Sequence, residues 1–281
     1  MRPSRPILRK AAPKPTIDAS LLKPRFEDLY GRFNRKDLVH PDPLEFLYNY
    51  PHLMDREIVG LIASSLAYGR VAQILKSVSV ILGRMPEPAR FLSRAGWQEI
   101  KDTFDGFRHR FTSGQEIAML LFGAKRTIET HSCLERYLVS CLDKTDGDMV
   151  KALSRFTKGI WGVSGVKSMS LLPDPALGSA CKRLFLYLRW MVRRDQVDPG
   201  GWTGIRPSDL VIPLDTHMFR LSRGIGFTDR RQADLKAALE ITKRFRELEP
   251  CDPVKYDFAL TRFGIRPEMD YNTLIGHLAR R

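Results

Sequence analysis

Acidic residues are the scarce class in this 281-residue chain: 32 Asp and Glu stand against 46 Lys and Arg, leaving a formal charge of +14. A surplus of that size makes a positive field that attracts polyanions and speeds their encounter, and nucleic acid is the usual such partner. Cysteine is scarce too. Cys133, Cys141, Cys181 and Cys251 are too few and too scattered for a disulfide framework, and no CxxC pair exists to hold zinc. They read as buried thiols of a reducing compartment. No apolar run reaches the length of a membrane span, and the N-terminus has no apolar signal core. The expected location is cytoplasmic, with the nucleoid as the place of work when DNA is bound.

Strand patterning is nearly missing as well, and no repeat is found. What fills the chain is helical periodicity. Ile58, Leu61, Ile62 and Ser65, then Ile74, Val78, Ile81 and Leu82, recur at steps of three and four, with a break at Tyr68-Gly69-Arg70. The same spacing continues through "GQEIAMLLFGAKRTIETHSCLERYLVSCL", "GSACKRLFLYLRWMVRR", "DTHMFRLSRGIG", "RQADLKAALEITKRFREL" and "DPVKYDFALTRFGI". Loops are expected at Pro86–Pro88, Leu171–Gly178 and Asp198–Asp209. Residues 1–22, rich in Pro, Arg and Lys, cannot bury enough apolar surface to fold alone and are expected to form a basic, disordered tail. Residues 23–281 are expected to form one all-α domain of two helical lobes with a cleft between them.

Two polar residues stand out. In "VIPLDTHMFRLSRGIG" Asp215 follows Pro213 and Leu214 where a helix should begin, so its carboxylate is expected to cap the first turn, and Gly224 is expected to be the left-handed stop. Thirty-three positions earlier, Lys182 sits in "LLPDPALGSACKRLFLYLRWMVRR". It shares a stripe with Leu186, Arg189 and Arg193, a pattern that suits an exposed face or a groove lined for DNA. Read alone, Asp215 is an ordinary cap and Lys182 an ordinary surface lysine.

Together they resemble a known pattern. "PLDTHMFRLSRGIG" is similar to the "PVDTHVxRxxxRLG" segment of helix-hairpin-helix DNA glycosylases (the endonuclease III and 8-oxoguanine glycosylase superfamily), with Leu214 in place of Val. Leu172, Pro173, Gly178 and Lys182 hold the order of that superfamily's "LPGVGxKxA" hairpin. "REIVGLIASSLAYGRVAQI" resembles its helix ending in the turn that fills the gap left by an extruded base, and "YDFALTRFGI" its closing helix. The "LLPDPxxGSACKRLxLxLRWMVR" stretch is also that of an uncharacterised bacterial family placed in the superfamily. The resemblance spans about residues 56–265.

It implies interleaved lobes with their cleft near residues 68–70, 182 and 215, and a DNA base-excision glycosylase with a possible abasic-site lyase step, acting on a flipped damaged base, with oxidised purines favoured. Lys182 and Asp215 would be catalytic, the lysine through a Schiff base. Tyr68, Gly69, Arg70, Gly178, Ser179, Arg189 and Arg220 would contact DNA. Tyr187, Trp190, Trp202, His217 and Phe219 are candidates for lining the base pocket, and Arg206, Arg223, Arg230 and Arg231 could hold phosphates as a group. The partner would be lesion-containing double-stranded DNA, met by a monomer. No cofactor is implied, because the four-cysteine iron–sulfur loop is missing. The "PDPALGS" turn departs from the tight "PGVG" hairpin, so the monovalent ion held there is not carried over. A non-catalytic DNA- or RNA-binding protein that kept the fold is the alternative. An enzyme acting on RNA or a nucleoside, and a helical scaffold charged for solubility, are the further rivals.

Overall fold

The computed structural model describes residues 19–163, 165, 170–265, 274–276 and 278. The chain is mostly helical, with a single two-stranded hairpin among the described residues. Twelve α-helices are described: α1 (Ala19–Phe33), α2 (Leu53–Ser65), α3 (Val71–Arg84), α4 (Pro88–Arg94), α5 (Trp97–Thr103), α6 (Gly114–His131), α7 (Leu134–Asp143), α8 (Met149–Gly162), α9 (Lys182–Val192), α10 (Thr216–Gly224), α11 (Leu235–Leu248) and α12 (Asp257–Ile265). No helix among them is long and apolar enough to cross a membrane.

The segments picked out by periodicity form α2, α3, α6, α7 and α9–α12, while α1, α4, α5 and α8 lie outside them. In α3, Ile74, Val78, Ile81 and Leu82 are buried and the opposite face is open. Helix α2 differs: every residue from Glu57 to Ser65 is buried, so it runs through the interior rather than over it. Its closest neighbour is α9. A Cβ on Gly60 would lie 3.1 Å from the Tyr187 ring and 3.2 Å from the Met191 sulfur, so glycine sets how near the two helices come. Helix α1 packs with α11 and α12, and α10 packs on α12; α6 packs against both α7 and α8, with α5 and α4 beside it. One continuous apolar core joins these groups.

Several ends are fixed by side chains. Ser113 and Glu116 make a reciprocal capping box at α6, while Asp148, Asp215 and Asp234 cap α8, α10 and α11. Each such cap is worth about 0.5–2 kcal/mol. Helix α7 is capped from a distance. The buried Glu57 carboxylate accepts from the Leu134 and Glu135 amides and from the Trp202 indole N–H at 2.6 Å.

The structure differs from the sequence reading at four places. Helix α1 starts at Ala19 and buries Leu22, so the end of the expected tail is already folded; the rest of that tail lies outside the described residues. The left-handed residue after α10 is Gly226 (φ 79°), two positions beyond Gly224. Cys251 is exposed, whereas Cys141 and Cys181 are buried. Strands β1 (Arg108–His109) and β2 (Thr112–Ser113) form a hairpin that no alternating pattern announced, because each strand is two residues long.

Candidate active site

Helices α9 and α10 point their N-termini at one place. Asp215 precedes α10 in extended backbone, and its Oδ1 accepts from the Met218 amide at 2.7 Å. That bond holds the side chain upright, and Oδ2 is left for another partner. Lys182, the first residue of α9, supplies it: Nζ lies 3.4 Å from Asp215 Oδ2, with the lysine 37% and the aspartate 14% exposed. The amine and the carboxylate meet at a cavity of about 290 Å³, near the lower end of small-ligand pockets.

The cavity lining mixes apolar and polar groups. Pro41, Pro43, Ala67, Val71, Ile74 and Leu186 supply hydrocarbon, with Tyr68 and Gly69 also on its wall. Thr216, His217, Thr261, Asp42, Arg189 and Arg262 supply the polar lining. Asp42 is held in place by Arg262, whose Nη2 donates to Oδ2 at 2.9 Å, and by the Leu44 amide on Oδ1. Arg262 is buried and lies with its guanidinium 4.1 Å from the Phe258 ring centre. His217 packs against α12 so closely that a Cβ on Gly264 would fall 2.2 Å from its Nδ1.

Behind the cavity lies a buried ion network. Arg189 pairs with Asp198 and Asp257, and Arg193 with Asp195, Asp198 and Asp252. Burial pushes the Asp257 carboxyl up to about 6; Arg189 pulls it back, and Asp215 pushes it further up. Asp195 moves the other way, because the pull of Arg193 and the Val197 and Asp198 amides outweighs its desolvation. At neutral pH Asp257 is ionised against Arg189. Since its folded value lies above the unfolded one, the fold holds the extra proton and gains stability as pH falls from about 6 towards 4. The stability advantage of the wild type over Asp257→Asn is therefore expected to be larger at pH 4.5 than at pH 7. Melting curves of the two proteins at both values test this; a constant gap would show that Asp257 does not titrate in that window.

Of the residues singled out from sequence, Lys182, Asp215, Tyr68, Gly69, Arg189 and His217 all line the cavity. Their roles need correction in part. Arg189 is 3% exposed and committed to two carboxylates, so it is no phosphate contact, and the stripe read as an exposed face is buried at both Arg189 and Arg193. Tyr187, Trp190 and Trp202 are core residues of α9 and its following loop and do not line the cavity. Phe219 packs against the core, with Arg223 5.8 Å from its ring centre. Gly178 and Ser179 do not open a helix: Gly178 (φ 84°) closes the turn Pro175–Leu177, Ser179 bridges to Asp234, and α9 begins three residues later. Arg70 and Arg220 are exposed. Arg206 and Arg230 pair with Asp209 and Asp234.

Tyr68 is anchored rather than free. Its hydroxyl donates to the His109 carbonyl at 2.9 Å and lies 2.7 Å from Thr112 Oγ1, while the Arg183 guanidinium sits 5.0 Å from its ring centre. Sequence reasoning missed Asp42, Thr261 and Arg262. Asp42 lies in no quoted motif, and Thr261 and Arg262 lie in the segment read as a closing helix, where nothing local points to a cavity built from segments more than 200 residues apart in the chain. It also left unremarked the gathering of Glu57, Cys133 and Glu135, whose ligand atoms lie within 4.8 Å of one another. Glu57 and Glu135 are taken up by backbone amides, and Cys133 Sγ accepts from the Arg136 amide, so the group acts as a set of caps.

Comparison with known proteins gives one family. A family model described as a protein of unknown function, DUF2400, matches residues 42–266, a span that holds every cavity residue but Pro41. No curated protein matches the chain. No solved structure matches it either.

Proposed function

We propose that this chain, which belongs to the DUF2400 family, is a DNA base-excision glycosylase with a lysine-dependent abasic-site lyase step. One observation carries the reading: an amine and a carboxylate from distant segments stand 3.4 Å apart in the lining of a cavity that offers both apolar and polar groups. The resemblance of the Lys182 and Asp215 segments to helix-hairpin-helix glycosylases supports the same assignment, and the net charge of +14 suits a polyanionic substrate.

In this scheme a damaged base, with an oxidised purine favoured, leaves the duplex and enters the cavity, which costs a few kcal/mol and least for a base already badly paired. Asp215 takes the proton that Lys182 must lose to become a nucleophile. The neutral amine attacks C1′ of the deoxyribose, and the base departs with the electrons of the glycosidic bond and picks up a proton. Asp215, ionised again after passing its proton on, offsets the positive charge that develops on the sugar. Opening of the sugar ring, with a proton taken up by the ring oxygen, converts the amine adduct to a Schiff base; removal of a C2′ proton then expels the 3′ phosphate with the electrons of its C–O bond and breaks the strand. Asp42 and Arg262 face the same cavity with a fixed acceptor and donor, suited to the polar edge of the base.

Sodium borohydride trapping tests the reading, with duplexes carrying an abasic site, 8-oxoguanine or uracil. A covalent protein–DNA adduct is the expected result on at least one of them. Absence of any adduct and of base release on all three would leave a DNA-binding protein without this chemistry. A second measurement concerns affinity. Binding to duplex DNA is expected to weaken steeply with salt, by about a thousandfold between 50 and 200 mM if some six phosphates are neutralised. A flat dependence would count against DNA as the substrate.

A further inference from the structure

Phe111 is the least buried large apolar side chain of the described residues, at 83% exposure. It stands at the tip of the β1–β2 hairpin, where Arg110 takes a left-handed backbone (φ 51°) to make the turn. The hairpin sorts its side chains. His109 and Thr112 face inward and are fully covered, while Arg108, Arg110 and Phe111 face solvent. A ring held in water beside Arg110 gains nothing for the fold, since apolar surface is stabilising only when it is removed from water.

The hairpin is also fixed to the lip of the cavity. Tyr68 and Gly69 line that cavity, and the Tyr68 hydroxyl is bonded to both strands through His109 and Thr112. The His109 ring is fixed in turn between Ser77 Oγ and the Tyr68 carbonyl. Arg110 bridges the remaining distance. Its guanidinium lies 6.0 Å from the Tyr68 ring and 5.6 Å from the Phe111 ring, and its side chain covers Gly69 so closely that a Cβ there would fall 2.8 Å from it. Tyr68, held by these bonds, cannot swing out to fill a gap in DNA. Phe111 can enter one without breaking any of them.

We infer that Phe111 is the side chain that enters the base stack beside the everted nucleotide, with Arg108 and Arg110 on the flanking phosphates. The assignment rests on the proposed engagement of DNA with a nucleotide turned into the cavity. Intercalating apolar wedges and base–aromatic stacking are established means of holding such a distorted duplex, and each stacked base contributes enough to be read as an affinity change.

The test uses the full chain and two labelled duplexes, one intact and one carrying a tetrahydrofuran abasic analogue. Phe111→Ala is expected to lower affinity for the tetrahydrofuran duplex at least about fivefold, and affinity for the intact duplex less than twofold. Because the side chain is exposed, its melting temperature should match the wild type. Phe111→Trp is expected to keep the preference, with its added indole emission quenched by the tetrahydrofuran duplex. If Phe111→Ala keeps the wild-type preference, or the indole emission is unchanged in the bound state, the assignment is overturned. A borohydride adduct that persists in either case leaves the Lys182 chemistry standing. A Phe111-dependent preference with neither adduct nor base release would keep the wedge and remove the enzyme. A wild-type chain with no preference for the tetrahydrofuran duplex overturns the wedge.

Discussion

Replacing Lys182 with methionine is expected to abolish the borohydride-trapped adduct altogether, and replacing Asp215 with asparagine to slow base release by about a hundredfold or more. The two losses differ in kind. Methionine keeps the length and apolar stem of lysine but has no nitrogen to form a Schiff base, so the covalent route closes whatever else the site retains. Asparagine keeps the shape of Asp215, and its amide oxygen can still accept from the Met218 amide. What disappears is the negative charge 3.4 Å from the amine, and with it the group proposed to take its proton. Removing one electrostatic group of this type ordinarily costs about 10²–10³ in rate. Folding should hardly notice either change. The lysine is more than one-third exposed, and the cap retained in asparagine limits the stability cost to less than the roughly 0.5–2 kcal/mol of losing it outright. Trapping that persists in Lys182→Met would show that another amine reacts. Equal loss of folding and activity in Asp215→Asn would make capping its main task.

The placement of that pair was legible because both residues sit in extended local patterns. Asp215 follows a proline and opens a helix, and Lys182 heads an apolar helix, so each could be placed on an element from its own neighbours. Helices were legible for the same reason: a repeated stripe is a local signal. Failures occurred where a residue's role is set by distant partners. Charged residues at positions 182, 189 and 193 look like one wet face, yet Arg189 and Arg193 are buried because Asp198, Asp252 and Asp257 come to meet them. Aromatic residues at helical spacing fit a pocket wall and a core equally well, and for Tyr187 and Trp190 the core prevailed. The β1–β2 hairpin, two residues a side, is too short to show alternation, which hid Phe111 from any reading by period.

That buried network leads to the largest expected loss of stability. Arg189→Met should destabilise the fold by about 3–5 kcal/mol, the usual cost of stranding a buried charge. Arg189 binds Asp198 through Nε at 3.2 Å and reaches Asp257 with Nη1, all three side chains being at most 3% exposed. Methionine fills similar space but leaves Asp257 with no cation, and Asp198 with Arg193 alone. Asp257 already has one buried oxygen without a partner, so it has no second bond to fall back on. Its carboxyl, at about 6 beside Arg189, should then rise further and take up a proton at neutral pH, which softens the penalty at acid pH and leaves it full at alkaline pH. Urea unfolding at pH 5 and pH 8 reads both effects. A midpoint shift worth less than about 1 kcal/mol at pH 8, the range of an exposed ion pair, would mean that Arg189 serves DNA and not the fold. Because Arg189 also forms part of the cavity wall, the same substitution should disturb the Lys182–Asp215 pair. The charge that ties the fold together and the amine proposed to react share one helix, α9, whose first turn faces the cavity and whose last turn is tied into the ion network.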